Sequence, residues 1–249
     1  MKSLLLFDVD GTLVVSGQNV QFPLTSIIQT LKQQYDIGIV GGGKYDKIIE
    51  QLGYLRFNHY FSECGCVYHE NVSNIPQDLK FVKHYSKNLR KHELYPKINV
   101  LVKQSLHFLS QVDYTITGNF VDLRNGIIYI SLIGMTATQD ERIKFIGLDA
   151  KHRYRNQLLE LLNATSAEMN MSDKIHICEG GSVGIAIYPS EYDKMQVLEH
   201  LTDKYQDIHY FGDKYNENGN DYNIINDKRV IGHKVDNVND TIEILSKML

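Results

Sequence analysis

Two carboxylates one residue apart, Asp8 and Asp10, follow the apolar run Leu4-Leu5-Leu6-Phe7 and precede Gly11-Thr12-Leu13. In an extended chain alternate side chains share a face, so Asp8 and Asp10 leave the strand end in the same direction. An uninterrupted apolar run reads as a buried parallel strand, and the carboxyl end of such a strand is where open α/β sheets bind ligands. Gly11 allows a sharp turn there. A carboxylate pair so placed suits a hard cation and a phosphate, with one aspartate as nucleophile and the other as acid/base. Asp and Gly are also ordinary turn residues; the complete run from Leu4 to Leu13 is what favours the chemical reading.

Three further stations fall at expected strand ends. Gly41-Gly42-Gly43 follows the short apolar run Ile37–Val40 and precedes a helix over 44–52; backbone N–H groups at Gly42 and Gly43 would cradle an anion at that helix start. Lys194 lies near a helix start after Pro189 and, taken alone, reads as an exposed lysine. Gly212-Asp213-Lys214 follows the strand-like run Ile208–Phe211, with Gly219-Asn220-Asp221 close behind. Asp213 would complete a magnesium site with Asp8, and Asn220 and Asp221 would support the ligands from behind.

The elements that must hold these groups follow from periodicity. Phe22–Tyr35 has apolar residues at helical spacing with Pro23 near its start, and Ile37–Val40 and the helix over 44–52 continue a strand-loop-helix rhythm that predicts a parallel sheet covered on both sides. The middle differs. Phe81–Leu109 reads as mostly helical, 119–131 as a hairpin around Asn125-Gly126, 139–162 as helix with a break at Asp149-Ala150, and 174–178 with 183–188 as a strand pair around Gly180-Gly181. A helix over 193–200, strands at 208–211 and 229–231, and a terminal helix restore the α/β rhythm. The expected organisation is an α/β core of residues 1–81 and 186–249, with an α+β domain of residues 82–185 inserted in it.

Composition bounds the rest. At 249 residues, 43% hydrophobic and 22% charged, the chain is that of an ordinary globular protein. A net charge of −4 gives no reason to expect nucleic acid as a partner. Cys64, Cys66 and Cys178 cannot all pair and show no zinc-site spacing, which points to thiols in a reducing compartment. No apolar run is long enough to span a bilayer, and the first one leads straight into charged residues, unlike a signal peptide. A cytoplasmic protein without membrane partners is expected. The basic cluster Lys151, Arg153 and Arg155 reads as a solvated helix face.

The stations, in their order, resemble the haloacid dehalogenase superfamily, and more closely the eukaryotic-type phosphomannomutases. The motifs are FDVDGTL at Asp8, IGIVGGG at Gly41, FSECGCV around Glu63, LRNG at Arg124, QDERIKF at Arg142, YDK at Lys194 and FGDKYNENGND at Asp213. The resemblance implies a Rossmann-like core with an inserted cap that also forms a homodimer interface. It implies Asp8 as the nucleophile that becomes aspartyl-phosphate and Asp10 as general acid/base. It also implies Mg²⁺ held by Asp8, the Asp10 carbonyl and Asp213, with Lys194 neutralising the transferring phosphoryl group. Arg124 and Arg142 match two phosphate-binding arginines of the cap. The implied reaction moves phosphate between C1 and C6 of a hexose, mannose above all, through a hexose 1,6-bisphosphate that also serves as activator.

Several positions depart from that pattern. A third arginine, expected after Ile133-Gly134, is Met135, and 15–18 lacks the arginine expected there. Gly184 and Ala186 stand where the family carries a serine and an aspartate for sugar hydroxyls. Cys64 replaces an asparagine and Gly43 a serine. Losing a bidentate arginine and two hydroxyl partners loosens substrate grip. Lys103, Lys144 and His152 are other cap cations, read as solvated surface charge. A sugar-phosphate phosphatase of the same fold is therefore the alternative reading, and a non-catalytic binding protein a third, disfavoured by the intact Asp8, Asp10, Lys194 and Asp213.

Overall fold

Leu4, Leu5, Leu6 and Phe7 are completely buried, as an apolar strand covered on both faces must be. They form β1 (Leu4–Phe7) in a computed structural model that describes residues 2–72, 81–217 and 219–249. The chain continues through α1 (Leu24–Leu31), β2 (Asp36–Val40), α2 (Tyr45–Leu52), β3 (His59–Ser62), β4 (Val67–Asn71) and β5 (Phe81–Ser86). After an intervening segment it returns as β10 (Ile208–Gly212), α6 (Tyr222–Ile225), β11 (Ile231–Lys234) and α7 (Val238–Ser246). Together these form one compact unit, residues 1–87 and 193–249, around a seven-stranded sheet of order β11-β10-β1-β2-β3-β4-β5.

Five strands of that sheet, from β11 to β3, are parallel, and β4 and β5 add antiparallel pairs at one edge. From β1 the chain runs outward to β2 on one side, and β10 takes the other. The carboxyl ends of β1 and β10 therefore flank the point where strand order reverses, the usual crevice of doubly wound sheets. Apolar side chains pack both faces: Phe7, Ile37, Ile39 and Phe211 on one, Leu4, Leu6, Val40 and Tyr210 on the other.

Residues 88–192 form a second compact unit. Its elements are α3 (Tyr95–Leu109), β6 (Val121–Leu123), β7 (Ile128–Ser131), α4 (Gln139–His152), α5 (Tyr154–Glu168), β8 (Ile175–Gly180) and β9 (Gly184–Pro189). The four strands make an antiparallel sheet of order β6-β7-β9-β8. Ile128, Ile130, Ile185 and Ile187 of its inner face pack with Ile98, Leu101, Leu158 and Leu162 of α3 and α5. The hairpin around Asn125-Gly126 and the strand pair around Gly180-Gly181 form as their turn residues predict.

Several expectations shift. The segment 81–86, expected to be helical, is β5, because it pairs with β4 from Phe81↔Asn71 to Ser86↔Val67; helix begins only at Tyr95. It and β9 are held by strand pairing, so the units meet at 87/88 and 192/193, against 81/82 and 185/186 expected from sequence. The helix break falls at Arg153, in the left-handed region at φ 58°, rather than at Asp149-Ala150. Asp149 explains the misplacement: its carboxylate accepts from the Arg155 backbone N–H at 2.8 Å and from Arg155 Nε at 2.6 Å, capping the helix that follows. Arg155 also reaches Glu179 at 2.9 Å, so it is ion-paired rather than part of a solvated basic face. The last strand lies at 231–234, not 229–231, and 194–200 is a 3₁₀ helix. The strands β3 and β4 escaped the sequence reading.

A buried histidine opens strand β3 of the seven-stranded sheet. His59, 1% exposed, bonds Tyr68 Oη at 2.9 Å through Nδ1 and Tyr205 Oη at 2.5 Å through Nε2. Burial pulls its pKa down to about 4, with Glu70 opposing. A group depressed in the folded state from about 6.5 stabilises fully above pH 6.5, and that contribution is lost as pH falls toward 4. Urea unfolding at pH 7 and pH 4.5 should therefore show wild type losing about 2–3 kcal/mol more than His59→Gln. Equal losses in the two proteins would refute this assignment.

Candidate active site

Asp8 leaves the end of β1 and is 6% exposed, while Lys194, at the start of the 194–200 turn, has no exposed surface. The Lys194 ammonium donates to Asp8 Oδ1 and, at 2.7 Å, to Asp221 Oδ1. Tyr210 Oη, from β10, donates to the same Asp221 oxygen, and the Lys214 backbone N–H donates to Asp221 Oδ2 at 2.9 Å. Asp213, one residue past β10, completes the group: one carboxylate oxygen from each of Asp8, Asp213 and Asp221 lies within 4.8 Å of the others. Asp213 Oδ2 is 3.0 Å from the exposed Lys214 ammonium, and its Oδ1 is buried without a hydrogen-bond partner.

Two glycines make room for this crowding. Gly11 takes φ +97°, and a Cβ there would collide with the Asp213 carboxylate; a Cβ on Gly212 would lie 2.6 Å from Asp221 Cγ. The turn after β1 and the end of β10 can thus carry three carboxylates side by side.

The electrostatics follow from burial. Burial raises the Asp8 pKa well above the usual carboxylate range; Lys194 opposes this, and Asp221 and Asp213 add to it. Burial likewise raises Asp213, against Lys214. Burial works against the charge on Lys194, yet Asp221 and Asp8 outweigh it and hold the ammonium well above the ordinary lysine range. Three carboxylates against one buried ammonium leave an excess of negative charge, and Asp213 keeps an unpartnered buried oxygen. Both observations fit a divalent cation with oxygen ligands.

Asp10 sits two residues on, half-buried, in a different set of contacts. Its Oδ1 accepts from Gln51 Nε2 at 2.9 Å and from the Gly17 backbone N–H at 3.2 Å, and its Oδ2 is 3.6 Å from Lys47 Nζ. Lys47 and Gln51 are four apart on α2 and so present one face to it. Gly42 and Gly43 lie before α2, neither at positive φ; a Cβ on Gly42 would come 3.9 Å from Asn220 Nδ2. Asn220 Oδ1 is itself buried and unpartnered.

The structure therefore brings Asp8, Lys194, Asp213 and Asp221 together. Lys194, which taken alone read as an exposed lysine, is fully buried, and Asp221 bonds it directly. Gln51, Lys47 and Tyr210 went unnoticed in the sequence. The i, i+4 spacing of Lys47 and Gln51 was visible, but no local signal tied them to Asp10.

A sequence model of the eukaryotic phosphomannomutases matches residues 24–249. The phosphomannomutase of Arabidopsis thaliana is 34% identical over 96% of this chain and 93% of its own, and that of Saccharomyces cerevisiae 33% over 99% and 94%. The chain belongs to the eukaryotic phosphomannomutase family. It is a phosphomannomutase-like enzyme with the haloacid dehalogenase fold. Solved structures of that fold include an IMP-nucleotidase of Plasmodium falciparum (TM-score 0.65, 16% identity, 99% of this chain and 68% of that one). A trehalose-6-phosphate phosphatase domain of C. albicans gives TM-score 0.55 at 15% identity, over 85% and 70%. At such identities these two show the fold alone.

Two arginines of the second unit, Arg124 and Arg142, lie in the LRNG and QDERIKF runs. Arg124, at the β6–β7 turn, pairs through Nε with Asp122 Oδ2 at 2.9 Å, and its guanidinium lies 5.1 Å from the Tyr129 ring centroid. Arg142, in the first turn of α4, donates from Nε to the Ala137 carbonyl and from Nη2 to the Met135 carbonyl, each at 3.1 Å. It thus grips the loop that carries Met135. Lys103, Lys144 and His152 are exposed. Among the described residues no helix is long and apolar enough to cross a membrane.

Proposed function

We propose that this chain is a Mg²⁺-dependent phosphomannomutase that interconverts mannose 1-phosphate and mannose 6-phosphate through an aspartyl-phosphate. The observation that carries the reading is the buried group of Asp8, Asp213 and Asp221 around Lys194 in a chain of this family. Asp8 Oδ attacks the phosphorus of a hexose bisphosphate, and the sugar oxygen leaves as the P–O bond breaks. Asp10 gives that oxygen its proton, held in place by Gln51 and the Gly17 N–H. In the reverse half-reaction Asp10 takes the proton from the other sugar hydroxyl, which recovers the phosphoryl group from Asp8. Lys194 neutralises charge beside the nucleophile.

Mg²⁺ would be held by Asp8, Asp213 and the Asp10 carbonyl, where it supplies charge neutralisation to the phosphoryl oxygens. Residues 88–192 serve as the cap, with Arg124 and Arg142 for the distant phosphate, Gly42 and Gly43 for an anion at the core, and Asn220 and Asp221 supporting the ligands. Hexose 1,6-bisphosphate primes the enzyme. The exposed Ile143 and Ile146, on one face of α4, support a homodimer through the cap, which sedimentation would reveal. A cytoplasmic location accords with the free metabolites such a reaction uses.

The phosphatase alternative rests on Met135, Gly184 and Ala186, where cap contacts are lost. One assay separates the two. Purified protein with mannose 1-phosphate, Mg²⁺ and catalytic glucose 1,6-bisphosphate should give mannose 6-phosphate without matching release of inorganic phosphate. EDTA should reduce the rate by at least about 10³-fold, and Mg²⁺ should restore it. Phosphate release without isomerisation would favour the phosphatase.

A further inference from the structure

Lys194 is held at both ends of its side chain by residues of one short stretch. At the far end the ammonium, completely buried, donates to Asp8 and, at 2.7 Å, to Asp221 Oδ1. At the near end the chain enters the 194–200 turn through Asp193, whose Oδ1 accepts from the Met195 backbone N–H at 2.7 Å and caps the turn. The other oxygen of that carboxylate, Oδ2, accepts from Asn223 Nδ2 at 2.6 Å. Asp193 is 6% exposed, so these two donors stand in for water that its charge would otherwise hold.

Asp221 and Asn223 stand two residues apart, one at the cap of α6 and one inside its single turn. Ile224 and Ile225 of the same helix share a buried cluster with Val197, Leu198 and Leu201. Apolar packing is non-directional and sets how close the two elements lie. A short 3₁₀ turn has poor hydrogen-bond geometry of its own, so its orientation is left to its caps. The bond from Asn223 to Asp193 supplies that direction. It fixes the Lys194 backbone against the same stretch of chain that receives the ammonium, so a flexible four-carbon stem spans a set distance.

We propose that Asn223 is a positioning residue for phosphoryl transfer: by holding Asp193 it fixes the turn from which Lys194 reaches Asp8. The inference rests on the reading of Asp8 as nucleophile and Lys194 as the cation that neutralises charge beside it. Loss of the Asn223 amide leaves Asp193 Oδ2 without its donor and lets the start of the turn shift. A displacement of about 1 Å at a catalytic cation costs on the order of 10²-fold in rate. Substrate binding does not depend on this bond, so the loss falls on kcat rather than KM.

The test is an exchange of the pair. Asn223→Asp keeps the shape but replaces the amide donor with a carboxylate that repels Asp193. With mannose 1-phosphate, saturating Mg²⁺ and catalytic glucose 1,6-bisphosphate, its kcat should fall about 10²-fold while KM stays within about two-fold of wild type. Adding Asp193→Asn reverses the pair at unchanged net charge: the amide now at 193 donates to the carboxylate at 223, and its oxygen still accepts from Met195. The double variant should return to within about ten-fold of wild type. A second readout needs no turnover. Under trinitrobenzenesulfonate, followed by peptide mass spectrometry, Lys194 should stay protected in wild type and in the double variant and react at least about ten-fold faster in Asn223→Asp, with the exposed Lys144 reacting equally in all three. A double variant as slow as Asn223→Asp, or a Lys194 equally protected in every protein, would overturn the role of Asn223 alone. A wild type that turns over no hexose phosphate would overturn the mutase reading beneath it, with the protection of Lys194 still deciding the contact.

Discussion

Asp8→Asn abolishes isomerisation, by a factor on the order of 10⁴ or more, while leaving the protein folded and no less stable than wild type in EDTA. On the proposed mechanism the activity loss follows from removing the attacking oxygen, for which an amide is no substitute. The stability result comes from burial. Asp8 is 6% exposed, and burial raises its pKa well above the usual carboxylate range, with Asp221 and Asp213 adding repulsion. Neutralising it relieves that repulsion, while Lys194 keeps Asp221 as a partner at 2.7 Å. Such a site is costly to the fold and is kept for its chemistry. Steady-state rates and thermal melts with and without chelator give both numbers; substantial turnover by Asp8→Asn would remove it from the nucleophile's role.

Lys194→Met has the largest expected effect on stability. The ammonium is completely buried and bridges Asp8 and Asp221. Methionine approximates the shape but leaves carboxylates buried without their counter-ion, and breaking a buried pair in this way costs about 3–5 kcal/mol. Denaturant unfolding in EDTA should register that loss. Adding Asp221→Asn to Lys194→Met should recover part of it, because the second substitution removes one of the stranded charges. The single variant should also lose activity, since Lys194 contacts Asp8, the proposed nucleophile. A single variant as stable as wild type would mean that the cluster adjusts protonation at little cost, and that the ion pair is not what holds it together.

Much of this was legible locally. The run from Leu4 to Leu13 specifies a buried strand with a carboxylate pair at its end because strand periodicity and turn chemistry are properties of neighbouring residues. The Asn125-Gly126 hairpin, the glycine turn between β8 and β9, and the positions of α1 and α2 are legible for the same reason. Where a residue's role depends on a strand partner, local signals misled. Residues 81–86 look helical until β4 lies beside them, and Asp149 looks like a helix break because it caps a helix that begins five residues later.

The sequence by itself determined the class of chemistry: two aspartates on one side of a strand end, with Asp213 and Lys194 in the order of a known family. Only the tertiary structure decided which groups touch. Asp8 and Lys194 lie 186 residues apart in the chain, and their contact exists because β10 pairs with β1 and the 194–200 turn packs beside them. Folding turned Lys194 from a plausible surface cation into a buried counter-ion, placed Asp221 in direct contact with it, and laid Tyr129 across two glycines of neighbouring strands. Burial and proximity between distant segments set charge balance and available volume, and neither quantity is carried by a local stretch of residues.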